Sequence, residues 1–402
     1  MLANDSWSTS VTSARQMGGK NNGPNSFNIT DPRYYSMLTD PTDGMVNETQ
    51  DYKNVMSAIE FLRERKDADD DTPFFIFLPL LNPHPPYSVP EPFYSAIDPD
   101  SLPPLKRVSA NSSKPDYYEL IREYRNLTSL DDEFWRKLNS VYLGSISFSD
   151  HMFGMLMDAV DELGHRDDTT VTVFSDHGDY AGDYGLVEKW PSGLEDVLTR
   201  VPLIIRSPEG QPNIVEEQVQ LFDIVPTMLE LANINASHVH FGSSLAPQVL
   251  LGVGGDPLRR VYAEGGYSTR EPRDFEGDDS SGGMPEDGTD YYPKNLQQQE
   301  VPLSVCRAVM IRTLEYKLIY RSDWSDTDHD SELYDLRADP NELTNVYNVD
   351  EYRSIRDQLK MELLEWYMLT SDVTPWVEDD RNGECFPFPP DDESLNEQCG
   401  VK

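Results

Sequence analysis

The sequence predicts an α/β fold: a doubly wound, mostly parallel sheet with a smaller α+β domain at its C-terminal end. Two observations carry that reading. Short apolar, β-branched runs alternate with segments of helical periodicity between Asp51 and Ala232, the pattern of strand–helix–strand units. Beyond Val305, short runs of strand character follow one another closely and end in an amphipathic helix. At 402 residues the chain can bury a sizeable core, and length alone suggests two or three domains.

The elements follow in order. Residues 1–50 are rich in Asn, Ser, Gly, Thr and Asp without periodicity, and read as an irregular segment. Asp51 to Lys66 presents Tyr52, Val55, Met56, Ile59 and Leu62 at helical spacing. Pro73 to Leu78 reads as a buried strand that runs into Asn82-Pro83-His84-Pro85-Pro86. A short helix is expected over Tyr117 to Tyr124 and a long one over Asp132 to Leu163. On the latter, Asp150 and His151 read as a satisfied polar pair, with a place in a site as the alternative. Val171 to Phe174 and Arg200 to Arg206 read as strands, and 219–232 as a strand turning into a helix with Pro226 in its first turn. The main domain then spans 51–265. An acidic, Gly-rich loop spans 266–300, an α+β subdomain 301–370 with strands near 305–313, 314–320 and 332–336, and an acidic tail 371–402. Tyr352 to Leu369 is the closing helix.

Charge narrows the function. With 72 acidic and 33 basic residues the net charge is −39, a field that opposes nucleic acid and anionic membranes and favours cations. No apolar run is long enough for a membrane span. No signal peptide is visible, yet six Asn-x-Ser/Thr sequons, at Asn4, Asn28, Asn47, Asn111, Asn126 and Asn235, favour a secreted or lysosomal glycoprotein. Of three cysteines, Cys385 and Cys399 are placed to pair across the tail, leaving Cys306 as a core thiol.

Two strand ends carry chemistry. The strand at Val171 stops at Ser175-Asp176-His177-Gly178, where an acid and an imidazole at a sheet's carboxyl edge suit a divalent cation. A turn with an Asp cap and a hydrogen-bonded His is the plainer alternative. His84, between prolines, has a well-defined ring position, with an ordinary surface loop as the alternative.

Together five segments resemble the sulfatase family of the alkaline phosphatase-like superfamily. They are Asn82-Pro83-His84-Pro85; Ser175-Asp176-His177-Gly178-Asp179 with Gly182-Asp183-Tyr184-Gly185 and Lys189; Thr199 to Ile205; Phe222 to Leu229; and Glu332 to Leu336 with Asp339-Pro340-Asn341-Glu342. The resemblance implies hydrolysis of a sulfate ester of a small molecule or carbohydrate. It makes Asp176 and His177 ligands of a divalent metal, most simply calcium. It places Lys189 and His84 on the sulfate, with His84 alternatively the acid toward the leaving oxygen. Such donors suit the charge that develops as a sulfate ester breaks.

The sequence also departs from the family. The Cys/Ser-x-Pro-x-Arg motif, whose first residue becomes the formylglycine nucleophile, is absent, as is the early Asp-Asp pair that completes the metal site. The expectation is therefore of an N-terminally truncated chain, nearly inactive alone, with apolar surface open where the first strands would lie. Tyr184 stands where many members have His, on the leaving-group side. Two alternatives stay open: a phosphodiesterase or phosphonate hydrolase of the same superfamily, and a non-catalytic truncated homologue. Tyr87, Tyr94 and Trp190 are candidates to stack on the alcohol moiety or to pack internally.

Overall fold

The computed structural model describes residues 27, 31–108, 113–236, 239–267, 292–301, 304–322 and 331–371. Helix α1, Gln50–Asp67, starts where Thr49 accepts a hydrogen bond from the Tyr52 amide at 3.2 Å. After α2, Tyr117–Tyr124, the chain enters α3, Asp132–Glu162, capped by Asp131 through the Phe134 amide at 2.8 Å. Val55 and Ile59 of α1 pack with Phe148, Met152 and Ala159 of α3 in one cluster. Trp135, Leu138 and Val141, earlier on α3, pack with Tyr87 and Val187 in another. Gly144 lets α3 meet the turn at 93–95 closely, since a Cβ there would lie 2.2 Å from the Phe93 carbonyl oxygen.

Strand β1, Val171–Phe174, is followed by the one-turn helix α4, Asp196–Thr199, and by β2, Leu203–Arg206. The expected parallel pairing is not what joins them: β1 and β2 are antiparallel, with Val171 opposite Arg206 and Phe174 opposite Leu203. The cause is where α4 lies. The Gly178 amide donates to the Leu198 carbonyl at 2.8 Å, so α4 is held at the carboxyl end of β1 and β2 must start from that end. A Cβ on Gly178 would fall 1.9 Å from the Val197 carbonyl oxygen, so the approach requires glycine.

Residues 73–81 join no ladder among the described residues, contrary to the strand expected over Pro73 to Leu78. With no strand beside them among the described residues, Phe75 and Phe77 are 77% and 68% exposed; Ile204 on β2, which pairs with β1 alone, is 63% exposed.

Beyond these lie α5, Ile224–Leu231, and α6, Ala246–Leu251. Next come β3, Val261–Gly265, α7, Tyr292–Glu300, β4, Arg307–Arg312, β5, Tyr316–Ser322, β6, Glu332–Asp335, and α8, Arg353–Thr370. The last four strands form one antiparallel sheet, ordered β3-β4-β5-β6. The sheet therefore recruits β3 from before residue 266, and α7 occupies the end of the span expected as loop. Residues alternate along β4: Val309 and Ile311 meet Leu359 and Leu363 of α8, whereas Ala308 and Met310 face Leu194 of the main domain. Cys306 is buried. The pairing expected for Cys385 and Cys399 lies outside the described residues. No helix among the described residues is long and apolar enough to cross a membrane.

Candidate active site

The stretch 73–81 and β1 deliver their ends to one place. Asp51, buried in the first turn of α1, accepts from the amides of Leu81 and Asn82 at 3.0 and 2.8 Å and from the Asn82 side-chain amide at 2.7 Å. That carboxylate fixes the loop carrying His84. The His84 Nδ1 lies 2.7 Å from the Pro85 carbonyl oxygen, so Nδ1 carries the proton and Nε2 is left as acceptor. Lys189 donates to that Nε2 at 2.9 Å. Burial, and then the Lys189 ammonium, lower the His84 pKa from its ordinary value. Both effects keep the imidazole neutral, as the hydrogen bond from Lys189 requires.

His177 lies beside this pair, its ring centre 6.3 Å from that of His84. Its Nδ1 is bonded to the Gly178 carbonyl oxygen at 2.8 Å, which leaves Nε2 with a free lone pair. Asp176 Oδ2 is 3.8 Å from that Nε2, and its carboxylate is 84% exposed. An oxygen and an imidazole nitrogen at this spacing fit two ligands of one divalent cation. Calcium takes six to eight oxygens, and no cluster of three or more His, Cys, Asp or Glu suited to a metal occurs among the described residues. The pair alone would make up only part of such a shell.

Other groups around the site were not foreseen from sequence. Glu188, 1% exposed, accepts from Lys189 at 3.2 Å and from Lys294 of α7 at 3.0 Å. Its backbone is held in the left-handed region, at φ 59°, by the Tyr87 hydroxyl oxygen on its amide and the Tyr180 amide on its carbonyl. Burial pushes the Glu188 carboxyl up, but Lys294, Lys189 and Arg125 outweigh it and hold the pKa below the ordinary value. Tyr87 in turn donates to Asp179 at 2.6 Å, and burial raises Asp179 to about 6. Glu188 is adjacent to Lys189 and was open to suspicion on that ground; Lys294 arrives from a segment more than a hundred residues away, without a motif.

Of the three aromatic candidates, Tyr87 and Trp190 are buried, whereas Tyr94 is half-buried with its hydroxyl donating to the Thr39 carbonyl at 3.0 Å. Tyr184 is fully buried with its hydroxyl on the Asn341 carbonyl at 2.9 Å. Tyr184 therefore ties the main domain to the C-terminal one. Asp150 and His151 are both exposed on α3, the His151 ring 5.6 Å from that of Phe93.

Comparison with known proteins places the chain. The sulfatase family model matches residues 6–234, and the model for the C-terminal region of N-sulphoglucosamine sulphohydrolase matches 290–368. The chain belongs to the sulfatase family. Among curated relatives, an arylsulfatase of Clostridium perfringens is 26% identical over 345 residues, covering 84% of this chain and 60% of that protein. A multifunctional alkaline phosphatase superfamily protein of Trinickia caryophylli is 24% identical, covering 79% and 59%. The chain thus spans about three fifths of the length of these relatives. Among solved structures, the phosphonate monoester hydrolase of Agrobacterium radiobacter superposes with a TM-score of 0.64 at 22% identity, covering 87% of this chain and 64% of that one. The fold is that of the alkaline phosphatase-like superfamily, with a separate small C-terminal sheet domain.

Proposed function

We propose that the protein is a hydrolase of sulfate esters, of a small molecule or a carbohydrate, in which Lys189 and His84 hold the sulfate and Asp176 and His177 hold a divalent cation, most simply calcium. The observation that carries this reading is the Lys189–His84 contact of 2.9 Å beside His177. In a chain of net charge −39, an ammonium delivered to the end of β1 is what admits an anion. Lys189 is the principal anion contact. For His84 to bond the ester, its Nε2 takes up a proton as Lys189 turns to the anion and then donates it, while Nδ1 keeps its own on the Pro85 carbonyl. When bound, the cation would polarise the sulfate oxygens.

The family's formylglycine would be the nucleophile of the whole protein, but its Cys/Ser-x-Pro-x-Arg motif is absent from these 402 residues. The chain by itself is accordingly expected to bind sulfate without turning esters over. Titrating it with inorganic sulfate tests the site: Lys189→Ala should weaken binding by about tenfold or more, the loss of one charged contact. Equal binding by parent and variant refutes the assignment. Calcium titration of Asp176→Ala tests the cation ligands in the same way.

The relative from Trinickia caryophylli, named as a multifunctional alkaline phosphatase superfamily protein, keeps a second reading open, a sister phosphodiesterase or phosphonate hydrolase of that superfamily. Competition between aryl sulfate and phenylphosphonate for the site separates the two.

A further inference from the structure

Glu188 poses an electrostatic problem for an anion site. Its carboxylate, 1% exposed, touches the very ammonium that must attract the anion. Paired one to one, Glu188 and Lys189 would cancel, and an arriving anion would meet a neutral floor with a buried negative charge beneath it. Lys294 alters that count. It is itself 1% exposed, and its Nζ lies 3.0 Å from the same Oε1 that Lys189 reaches at 3.2 Å. Two cations thus share one carboxylate. Lys189, with 28% of its side chain exposed, is the member that faces solvent. Arg125, buried on the ring of Trp190 and bonded through Nε to Gln297 of α7 at 2.9 Å, adds positive charge from the same side.

We infer that Lys294 is a positioning residue of the anion site, acting through Glu188: it takes up the Glu188 charge and leaves that of Lys189 available to the sulfate group. The inference rests on the assignment of Lys189 to the anion. It differs from a packing role for Lys294, and from a role for Glu188 as a mere tether of Lys189, in the order of affinities it requires.

The test is titration of the full 402-residue chain with inorganic sulfate at fixed ionic strength, with circular dichroism to follow folding. Lys294→Met should weaken binding by about tenfold or more, because Lys189 is then neutralised by its neighbour. Glu188→Gln should bind at least as tightly as the parent, since the opposing charge is gone. The double variant Glu188→Gln/Lys294→Met should return to within about threefold of the parent, its floor again carrying one net positive charge. A folded Lys294→Met chain with parental affinity overturns the inference, as does a double variant no better than Lys294→Met. Should Lys294→Met fail to fold, Glu188→Gln and the double variant decide: weakened binding in both overturns it. Parental binding in Lys189→Ala removes the site assignment itself, whereas a Lys189→Ala defect with an unaffected Lys294→Met removes only the role of Lys294.

Discussion

Asp51 is the residue on which the His84 loop depends. It contributes nothing to the anion directly, yet it accepts from two backbone amides and one side-chain amide of the turn that precedes His84. Removing a buried acceptor strands those donors, so Asp51→Ala should cost about 1.5–3 kcal/mol per charged hydrogen bond lost without replacement, read as a lower urea midpoint. His84 offers a second measurement at this scale. Burial and the Lys189 charge both lower its pKa. Lys189→Met takes away a neighbouring positive charge, which favours the protonated imidazole, so the His84 pKa should rise toward the ordinary histidine value. Proton NMR titration of the ring checks this, and an unchanged or lower value would contradict the Lys189–His84 contact. His84, Asp176, His177 and Lys189 were all visible as residues in the sequence because each stands at a strand end or in a segment that resembles the family. Asp51 was not, since an Asp in a helix's first turn reads as ordinary helix chemistry.

At the level of elements, legibility followed periodicity. The helix over Tyr117–Tyr124 and the long α3 were readable because apolar residues recur at threes and fours over their whole length. The run Pro73 to Leu78 has the composition of a buried strand, but a strand is a relation between neighbours, and none lies beside it among the described residues. β3 was missed for the opposite reason: Val261-Tyr262-Ala263-Glu264-Gly265 is weakly apolar and gains its strand character by pairing with β4. Two predictions separate these cases. Phe148 on α3 is wholly buried among Val55, Ile59 and Met152, so Phe148→Ala should cost about 3–5 kcal/mol in denaturant unfolding. Phe75 and Phe77 are exposed, so Phe75→Ser/Phe77→Ser should leave the unfolding midpoint within about 0.5 kcal/mol of the parent while reducing self-association in light scattering.

The whole molecule is held together by ions buried between its two domains. Lys317 of β5, wholly buried, lies 2.6 Å from Asp196 of α4 and 2.7 Å from Glu342, and Arg312 of β4 reaches Asp196 at 3.0 Å. Nearby, Arg321 pairs with Glu332 at 2.7 Å, and the hydroxyls of Tyr117 and Tyr180 donate to Glu195 at 2.7 Å. Such an array costs desolvation and holds only while its partners stay charged. Burial alone would push the Asp196 carboxyl up, but Lys317 and Arg312 outweigh it and hold the pKa down, from 3.8 to about 2. A carboxyl whose pKa is lower folded than unfolded contributes stability that is complete above the unfolded value and lost as pH falls through the folded one. For Asp196 the window runs from about pH 4 down to about pH 2, and the shift amounts to on the order of 2 kcal/mol at neutral pH. Asp196→Asn should therefore be less stable than the parent at pH 7 by on the order of that amount, with the gap closing below pH 4 as the parent's own carboxylate becomes protonated. Urea unfolding at pH 7, 5, 3 and 2 measures both chains. A gap that stays constant down to pH 2 would mean that Asp196 contributes by shape alone, and that the ion pairs between the domains do not hold them together.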